Sequence, residues 1–300
     1  MGAPPGPALA PVERREAAGL SYEEFQERYL LPGVPVVIAG LPVPAWGFDD
    51  LERRCGDREV PRVCHDPGAA GQGWAALQSG QARVTLREHL QTVRSGRGGG
   101  SGAPMLFDHA VAEVCPELLE DFVVPRYFAV DYLRTIPKTE RQDLCPAPDK
   151  FPSLFAQPAG TRCGLHVDQA GTHFYQMLLA GRKRWRIFRP HEAPRLYPRG
   201  HGLLFEADAF EPDLDRFPLL GGASAAEAVL QPGDVIFVPQ GSPHQVLNEE
   251  ASLAVSANYV AAGGPPGGGG FLGGALRELE LLMQAGARPE YARTAAALRR

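Results

Sequence analysis

The chain has 300 residues, 44% of them hydrophobic and 22% charged, with a formal net charge of -5. That composition is ordinary for a globular protein with a real core, and it argues against a protein that coats nucleic acid by bulk positive charge. No run approaches eighteen apolar residues and the N-terminus has no apolar h-region, so the reading is a cytoplasmic or nuclear protein with no membrane association. In chain order, residues 1–19 are Gly/Pro-rich and read as a flexible arm. SYEEFQERYL (21–30) pairs a Ser N-cap with Glu24 three residues on and predicts a helix. VPVVIAGL (34–41) is a β-branched strand, FDDLERRCG (48–56) a short helix and VTLREHLQTVRSG (84–96) an amphipathic one. PMLFDHAV (104–111) reads as a strand, and ELLEDFVVPRYF (117–128) as a short helix broken before Pro125. From about residue 153 to 260 the pattern becomes short strands with turns between them, the signature of an antiparallel sandwich or barrel. A Gly/Pro linker (261–270) then leads to a helical segment (271–300), with Leu272, Leu276, Leu279, Leu282 and Met283 on one face.

Five cysteines, Cys55, Cys64, Cys115, Cys145 and Cys163, are widely spaced and form no CxxC pair. They read as reduced thiols, which disfavours both a disulfide scaffold and a structural zinc site. Gly268, Gly270 and Gly273 match G-x-G-x-x-G, but no strand runs into them, so a dinucleotide fingerprint is rejected.

The chemistry concentrates in GTRCGLHVDQAGTHFYQMLLAGRKRWRIF (160–188). In a strand His166 and Asp168 point the same way, so an imidazole and a carboxylate can share one metal ion. Two histidines and one carboxylate form the facial set of non-haem iron oxygenases, and His244, after the strand VIFVP, is the best third ligand. The plain alternative is a hydrogen-bonded core histidine. His173 is a spare, and His65 and Asp66 have nothing but residue type in their favour. In GRKRWRIF, alternation places Lys183, Trp185 and Ile187 on one face. A lysine facing a barrel interior must be paired, and a ligand carboxylate is a natural partner. Otherwise Lys183 reaches to the rim and Phe188 faces inward. Ser252, Ser256 and Asn258 form a polar face that suits a site-lining strand or a solvent-facing edge equally.

The order H-x-D, G-x-K-R-W, P-G-D-x-x-x-x-P, H, with the stretches LSYEEFQERYLLPGVPVVIAGL and PMLFDHAVAEVCPELLEDFVVPRYFAVDYL before it, resembles the JmjC (cupin-like) Fe(II)- and 2-oxoglutarate-dependent oxygenases. The match covers residues 20–260 and is closest to small stand-alone hydroxylases such as JmjC lysyl hydroxylases. The resemblance implies a mainly β fold, a double-stranded β-helix (jelly-roll or cupin) barrel over 153–260 with flanking N-terminal helices and a C-terminal helix. It implies Fe(II) on His166, Asp168 and His244, 2-oxoglutarate with its distal carboxylate on Lys183, dioxygen as co-reactant, and Asn258 on the cosubstrate side. The chain departs from the family at Cys163, where a Thr or Ser hydroxyl is common, at Gln176, where an asparagine is common, and at Met105, Leu106 and Phe107, which supply no phenol. Tyr175 is the candidate for the missing hydroxyl. The implied activity is hydroxylation of a lysyl, arginyl or other protein side chain. Alternatives are hydroxylation of a modified RNA nucleoside, histone lysine demethylation, or a catalytically weak JmjC binding module. The C-terminal helix either packs on its own barrel in a monomer or forms a homodimer interface.

Overall fold

A computed structural model of the chain describes residues 6–64, 82–96, 104–141, 143–264, 269–286 and 289–300. His65, Asp66 and Gly268, with the rest of residues 65–81, 97–103 and 265–268, lie outside the described residues. The strands are β1 (Ala8–Pro11), β2 (Glu13–Glu16), β3 (Val36–Ala39), β4 (Glu59–Cys64), β5 (Ala82–Thr85), β6 (Pro104–Ala110), β7 (Ser153–Gln157), β8 (His173–Ala180), β9 (Lys183–Phe188), β10 (Pro198–Arg199), β11 (Leu204–Phe205), β12 (Ser224–Leu230), β13 (Val235–Val238), β14 (His244–Asn248) and β15 (Ser252–Tyr259). One sheet has the order β1-β12-β9-β14, and a larger one runs β2-β3-β13-β8-β15-β7-β6-β4-β5. Trp185, Ile187 and Ala228 of the first sheet pack with Phe155, Phe174, Leu178 and Ile236 of the second, so the inner faces of the two sheets share one core. This is a jelly-roll sandwich, as the strand pattern and the resemblance led one to expect.

The outer face of the larger sheet is covered by helices. Ser21 accepts the Glu24 N–H at 3.0 Å and starts α1 (Tyr22–Phe25), which runs on as a wider turn to Leu30. Thr85 and Glu88 form a full capping box at the head of α3 (Leu86–Arg94), after α2 (Phe48–Cys55). Phe25, Tyr29, Leu51, Leu90, Tyr127 and Phe128 from this layer bury against Tyr175, Phe237 and Tyr259 of the sheet. The chain ends in α4 (Gly270–Gln284) and α5 (Pro289–Leu298), whose Leu279, Leu282, Tyr291 and Leu298 pack with Leu133, Leu144, Ala170 and Val260. Among the described residues no helix is long and apolar enough to cross a membrane.

Two expectations are corrected, and a third is sharpened. Residues 8–16 are not a flexible arm: β1 pairs in parallel with β12 and β2 with β3. Their order comes from distant partners, because Arg14 binds the Asp234 carboxylate and Arg15 that of Glu24, contacts that composition cannot reveal. The cysteines are not all thiols: Cys55, at the end of α2, and Cys115 are bonded with Cα atoms 5.7 Å apart. The fold brings together two residues that the sequence separates by 60 positions. The short helix expected to break before Pro125 is present as a 3₁₀ helix, Pro116–Asp121, with a second 3₁₀ turn, Arg126–Phe128, after the proline.

Candidate metal centre

His166 and His244 meet because their backbones exchange two hydrogen bonds, His244 N–H to His166 O at 2.8 Å and His166 N–H to His244 O at 3.1 Å. Such a pair sets both side chains on the same face of the ladder, and the ring centroids lie 4.3 Å apart. Asp168, two residues on from His166, completes the group. The ligand atoms of His166, Asp168 and His244 all lie within 4.8 Å of one another, and all three residues are buried.

The tautomers fit a metal. His166 Nδ1 lies 2.8 Å from Gly164 O, and His244 Nδ1 lies 3.0 Å from Ser242 O. A ring nitrogen facing a carbonyl carries the proton, which leaves Nε2 of each ring with its lone pair turned to the centre. Burial keeps both imidazoles neutral, lowering His244 to about 4 and His166 well below its ordinary range. Burial also pushes the Asp168 carboxyl up to about 8, and its Oδ2 is sealed off with no hydrogen-bond partner. An isolated buried carboxylate is costly, and a divalent cation is what removes that cost. Two neutral Nε2 donors and one orphaned carboxylate oxygen therefore form a donor set suited to a first-row divalent metal.

The centre opens on a cavity of about 910 Å³, counting the space open to solvent. Strand alternation decides what lines it. From β9, Lys183 and Trp185 point in, while Arg184 and Arg186 point out to Glu227 and Glu249. Of the two faces open to Lys183 in the sequence, the inward one is correct. The lysine is 1% exposed, and its Nζ donates at 2.6 Å to Gln157 Oε1 and at 2.6 Å to Asn248 Oδ1. Burial brings its pKa down to about 7. Two neutral amides satisfy two of its three protons, and among the described residues it has no ion-pair partner. Cys163, Gln176 and Asn258 line the same cavity. The Cys163 thiol is pushed up to about 11 by burial, so it stays protonated. Gln176 Oε1 and Trp185 Nε1 are buried without partners. Asn258 donates to Thr172 Oγ1 at 2.9 Å, and Ser256 and Ser252 bond to Ser153 and Asn248, so the polar face of β15 lies inside the barrel.

Tyr175 is corrected. It sits between Phe174 and Gln176 on β8, so when those two face the cavity it faces the other way. Its ring stacks on Phe128 at 4.3 Å in the helix-covered core and it does not line the cavity. His173 also lies apart from the triad, with Nδ1 accepting the Gln240 N–H at 3.0 Å. Sequence reading missed Gln157, Asn248, Asp108 and Lys150. Asn248 was within reach, because His244, Val246 and Asn248 alternate onto one face of β14. Asp108, near the end of β6, and Lys150, in the turn before β7, are joined at 2.7 Å at the cavity and left no local signal.

Comparison with known proteins agrees with this geometry. The model of the cupin-like domain family matches residues 22–262. Lysine-specific demethylase 8 of Xenopus tropicalis is 29% identical over 244 residues, covering 79% of this chain and 50% of that protein. The human 2-oxoglutarate and iron-dependent oxygenase JMJD4 is 28% identical over 270 residues, 82% of this chain and 60% of that protein. The bifunctional arginine demethylase and lysyl-hydroxylase psr-1 of Caenorhabditis elegans is 26% identical over 269 residues, 83% of this chain and 61% of that one. The chain thus spans about half to three-fifths of the length of these relatives. With the family model matched across the barrel and the helices before it, the chain belongs to the cupin-like domain family.

Proposed function

We propose that the chain is an Fe(II)- and 2-oxoglutarate-dependent oxygenase that hydroxylates a cationic side chain, lysyl or arginyl, of a protein substrate. One observation carries the reading: a neutral His166–Asp168–His244 cluster and a buried Lys183 with no carboxylate of its own share one cavity. Bound there, iron and 2-oxoglutarate would supply the oxidative chemistry, one atom of dioxygen going to succinate with loss of carbon dioxide and the other to a substrate C–H bond.

The chain's own residues do the rest. His166, Asp168 and His244 would hold the cation. Lys183 receives the distal carboxylate of the cosubstrate, with Gln157 and Asn248 fixing the ammonium in place. Gln176 and Asn258 are the side-chain amides nearest in role to the family's asparagines, and Cys163 stands as a poor donor where a hydroxyl is usual. Phe107, Phe155, Phe174 and Trp185 wall the cavity and exclude water.

Asp108 supports the cationic substrate. Its side chain is 16% exposed, it lines the cavity, and it holds the Lys150 ammonium at 2.7 Å and the Ser153 hydroxyl at 2.7 Å. Its charge is balanced by Lys150 here, so a substrate ammonium would bind Asp108 by exchanging with that lysine. The names of two relatives, a lysine-specific demethylase and a bifunctional arginine demethylase and lysyl-hydroxylase, point to the same residue class in those proteins. The test is succinate release that requires Fe(II), 2-oxoglutarate and the protein, with gain of one oxygen on lysine- or arginine-containing peptides by intact mass. Turnover that survives His166→Ala would defeat the metal assignment. Absence of turnover with a full peptide and RNA-nucleoside panel would favour a binding module.

A further inference from the structure

Asp168 is followed at once by an unusual turn. Ala170 has φ 60° and ψ 28°, and Gly171 has φ 56°, so two consecutive residues lie in the left-handed region. Alanine is disfavoured there, and such a conformation persists only where the surroundings over-determine it.

Those surroundings come largely from the C-terminal helices, which lie beyond the family match ending at residue 262. A Cβ on Gly171 would fall 2.8 Å from Ala275 Cα, so the backbone of α4 lies directly on the turn. The side-chain amide of Gln240 donates both to Gly171 O and, at 3.2 Å, to Phe271 O, joining the turn to the first residues of α4. A Cβ on Gly274 would fall 2.7 Å from Gln240 Oε1, so the glycine makes room for that clamp. Glu278 of α4 faces the Ala170 and Gly171 N–H groups, and its Oε1 is sealed from solvent. Tyr291 of α5 donates its hydroxyl to Gln169 Oε1 at 2.8 Å, and Gln169 itself lines the cavity. Ala170 is buried in the same apolar cluster as Leu279, Leu282 and Ala295.

The geometry points to a role for α4 and α5 as part of the metal centre: the docked helix pair holds the 169–171 turn and so places the Asp168 carboxylate beside the two histidines. Gln240, Glu278 and Tyr291 are positioning residues that touch neither metal nor substrate. When the pair undocks, the turn loses the contacts that keep Ala170 left-handed, and Asp168 leaves the cluster. This rests on the reading of His166, Asp168 and His244 as a metal site, and it assigns the C-terminal segment a duty that neither dimer formation nor simple coverage of the barrel requires.

The experiment titrates the full chain with Co(II) and follows its visible absorption, alongside thermal unfolding of the metal-free protein. The variants are Gln240→Ala and Tyr291→Phe, the second losing a single hydroxyl and so keeping its packing. Each is expected to weaken Co(II) binding about tenfold, at the low end for residues that orient metal ligands, and to change the absorption envelope. Phe25→Ala, in the other core, is expected to lower the unfolding midpoint while leaving Co(II) affinity and spectrum unchanged. His244→Ala separates the two levels of the argument. If the wild type binds Co(II) and His244→Ala does not, the site stands; wild-type affinity and spectrum in both Gln240→Ala and Tyr291→Phe then overturn the positioning role. If the wild type binds no Co(II) or His244→Ala binds it equally well, the site reading itself fails.

Discussion

Lys183→Met tests the cosubstrate half of the site most directly, because methionine keeps length and apolar contact while deleting the charge. In the ligand-free protein the change has two opposed effects. It removes a buried ammonium, whose desolvation is unfavourable. It also removes two hydrogen bonds of 2.6 Å, leaving Gln157 Oε1 bare while Asn248 Oδ1 still accepts Ser252 Oγ at 2.9 Å. Hydrogen bonds to a charged group contribute about 1.5–3 kcal/mol each, and relief of the ammonium's desolvation offsets much of that loss, so ligand-free stability should change by less than about 3 kcal/mol. Binding has no such compensation. Removing one partner of a buried charge pair costs about 2–5 kcal/mol, so about 3 kcal/mol, or about 150-fold in affinity for 2-oxoglutarate, is expected. The assay is calorimetry on Mn(II)-loaded protein at pH 6.5, with 2-oxopentanoate as the analogue lacking the distal carboxylate. The wild type should prefer 2-oxoglutarate strongly, and the variant should bind the two about equally. Equal binding by the wild type, or an undiminished preference in Lys183→Met, would show that the lysine is not the counter-charge.

The same lysine sets a pH dependence. Its folded pKa is lowered from 10.5 to about 7, so between those values the unfolded chain holds more protons and this group makes the ligand-free protein more stable as pH rises. A bound carboxylate favours the ammonium, so binding takes up a proton above pH 7, and 2-oxoglutarate affinity should fall by up to about tenfold per pH unit there, a slope absent from Lys183→Met. Asp168→Ala should reduce Co(II) affinity by at least about 100-fold with the unfolding cooperativity intact, measured by titration and thermal melt. Asp108→Asn should raise the apparent KM for lysine- or arginine-containing peptides about tenfold while leaving peptide-independent succinate formation unchanged; an unaltered KM would remove Asp108 from substrate recognition. Phe25→Ala, which empties a fully buried ring site against Tyr127, Phe128 and Phe237, should cost about 3–5 kcal/mol in chemical denaturation.

Much of the site was legible because strand alternation is a local rule. His166 and Asp168 share a face by spacing alone, and KRWRIF carries its lysine beside Trp185 and Ile187 on the face that turns inward. The helix starts at Ser21 and Thr85 follow from capping chemistry, which is equally local. What stayed hidden depends on contacts between distant parts of the chain. β1 and β2 are made by the sheet edges that receive them, and the Cys55–Cys115 bond by the meeting of two helical ends. Tyr175 was misplaced for a different reason: its residue type was weighed ahead of its parity on β8, and parity decides. Asp108 and Lys150 could not be paired from sequence, because neither hydrophobic period nor motif links the end of β6 to the loop before β7.

Parity also explains why the His166–Asp168–His244 cluster and Lys183 belong to one arrangement. β14 lies antiparallel to β9 with His244 opposite Ile187 and Asn248 opposite Lys183. His244, Val246 and Asn248 all face inward, so one register places His244 at one end of the strand and the lysine's amide partner at the other. A slip of one residue would turn every side chain of β14 to the opposite face. It would withdraw His244 from His166 and Asp168, and at the same stroke leave the Lys183 ammonium with one acceptor fewer in a dry interior. The cost of that unpaired charge opposes the slip, so the lysine helps to fix the register that sets His244 beside His166 and Asp168. On the outer face, Arg184 and Arg186 pair with Glu227 of β12, and Arg184 also with Glu249 just past β14, at 2.6–2.9 Å. These partly exposed bridges add little stability singly, but they connect β9 to both its neighbours in the same alignment. The buried charge inside and the paired charges outside thus specify one strand register, and that register brings His244 beside His166 and Asp168.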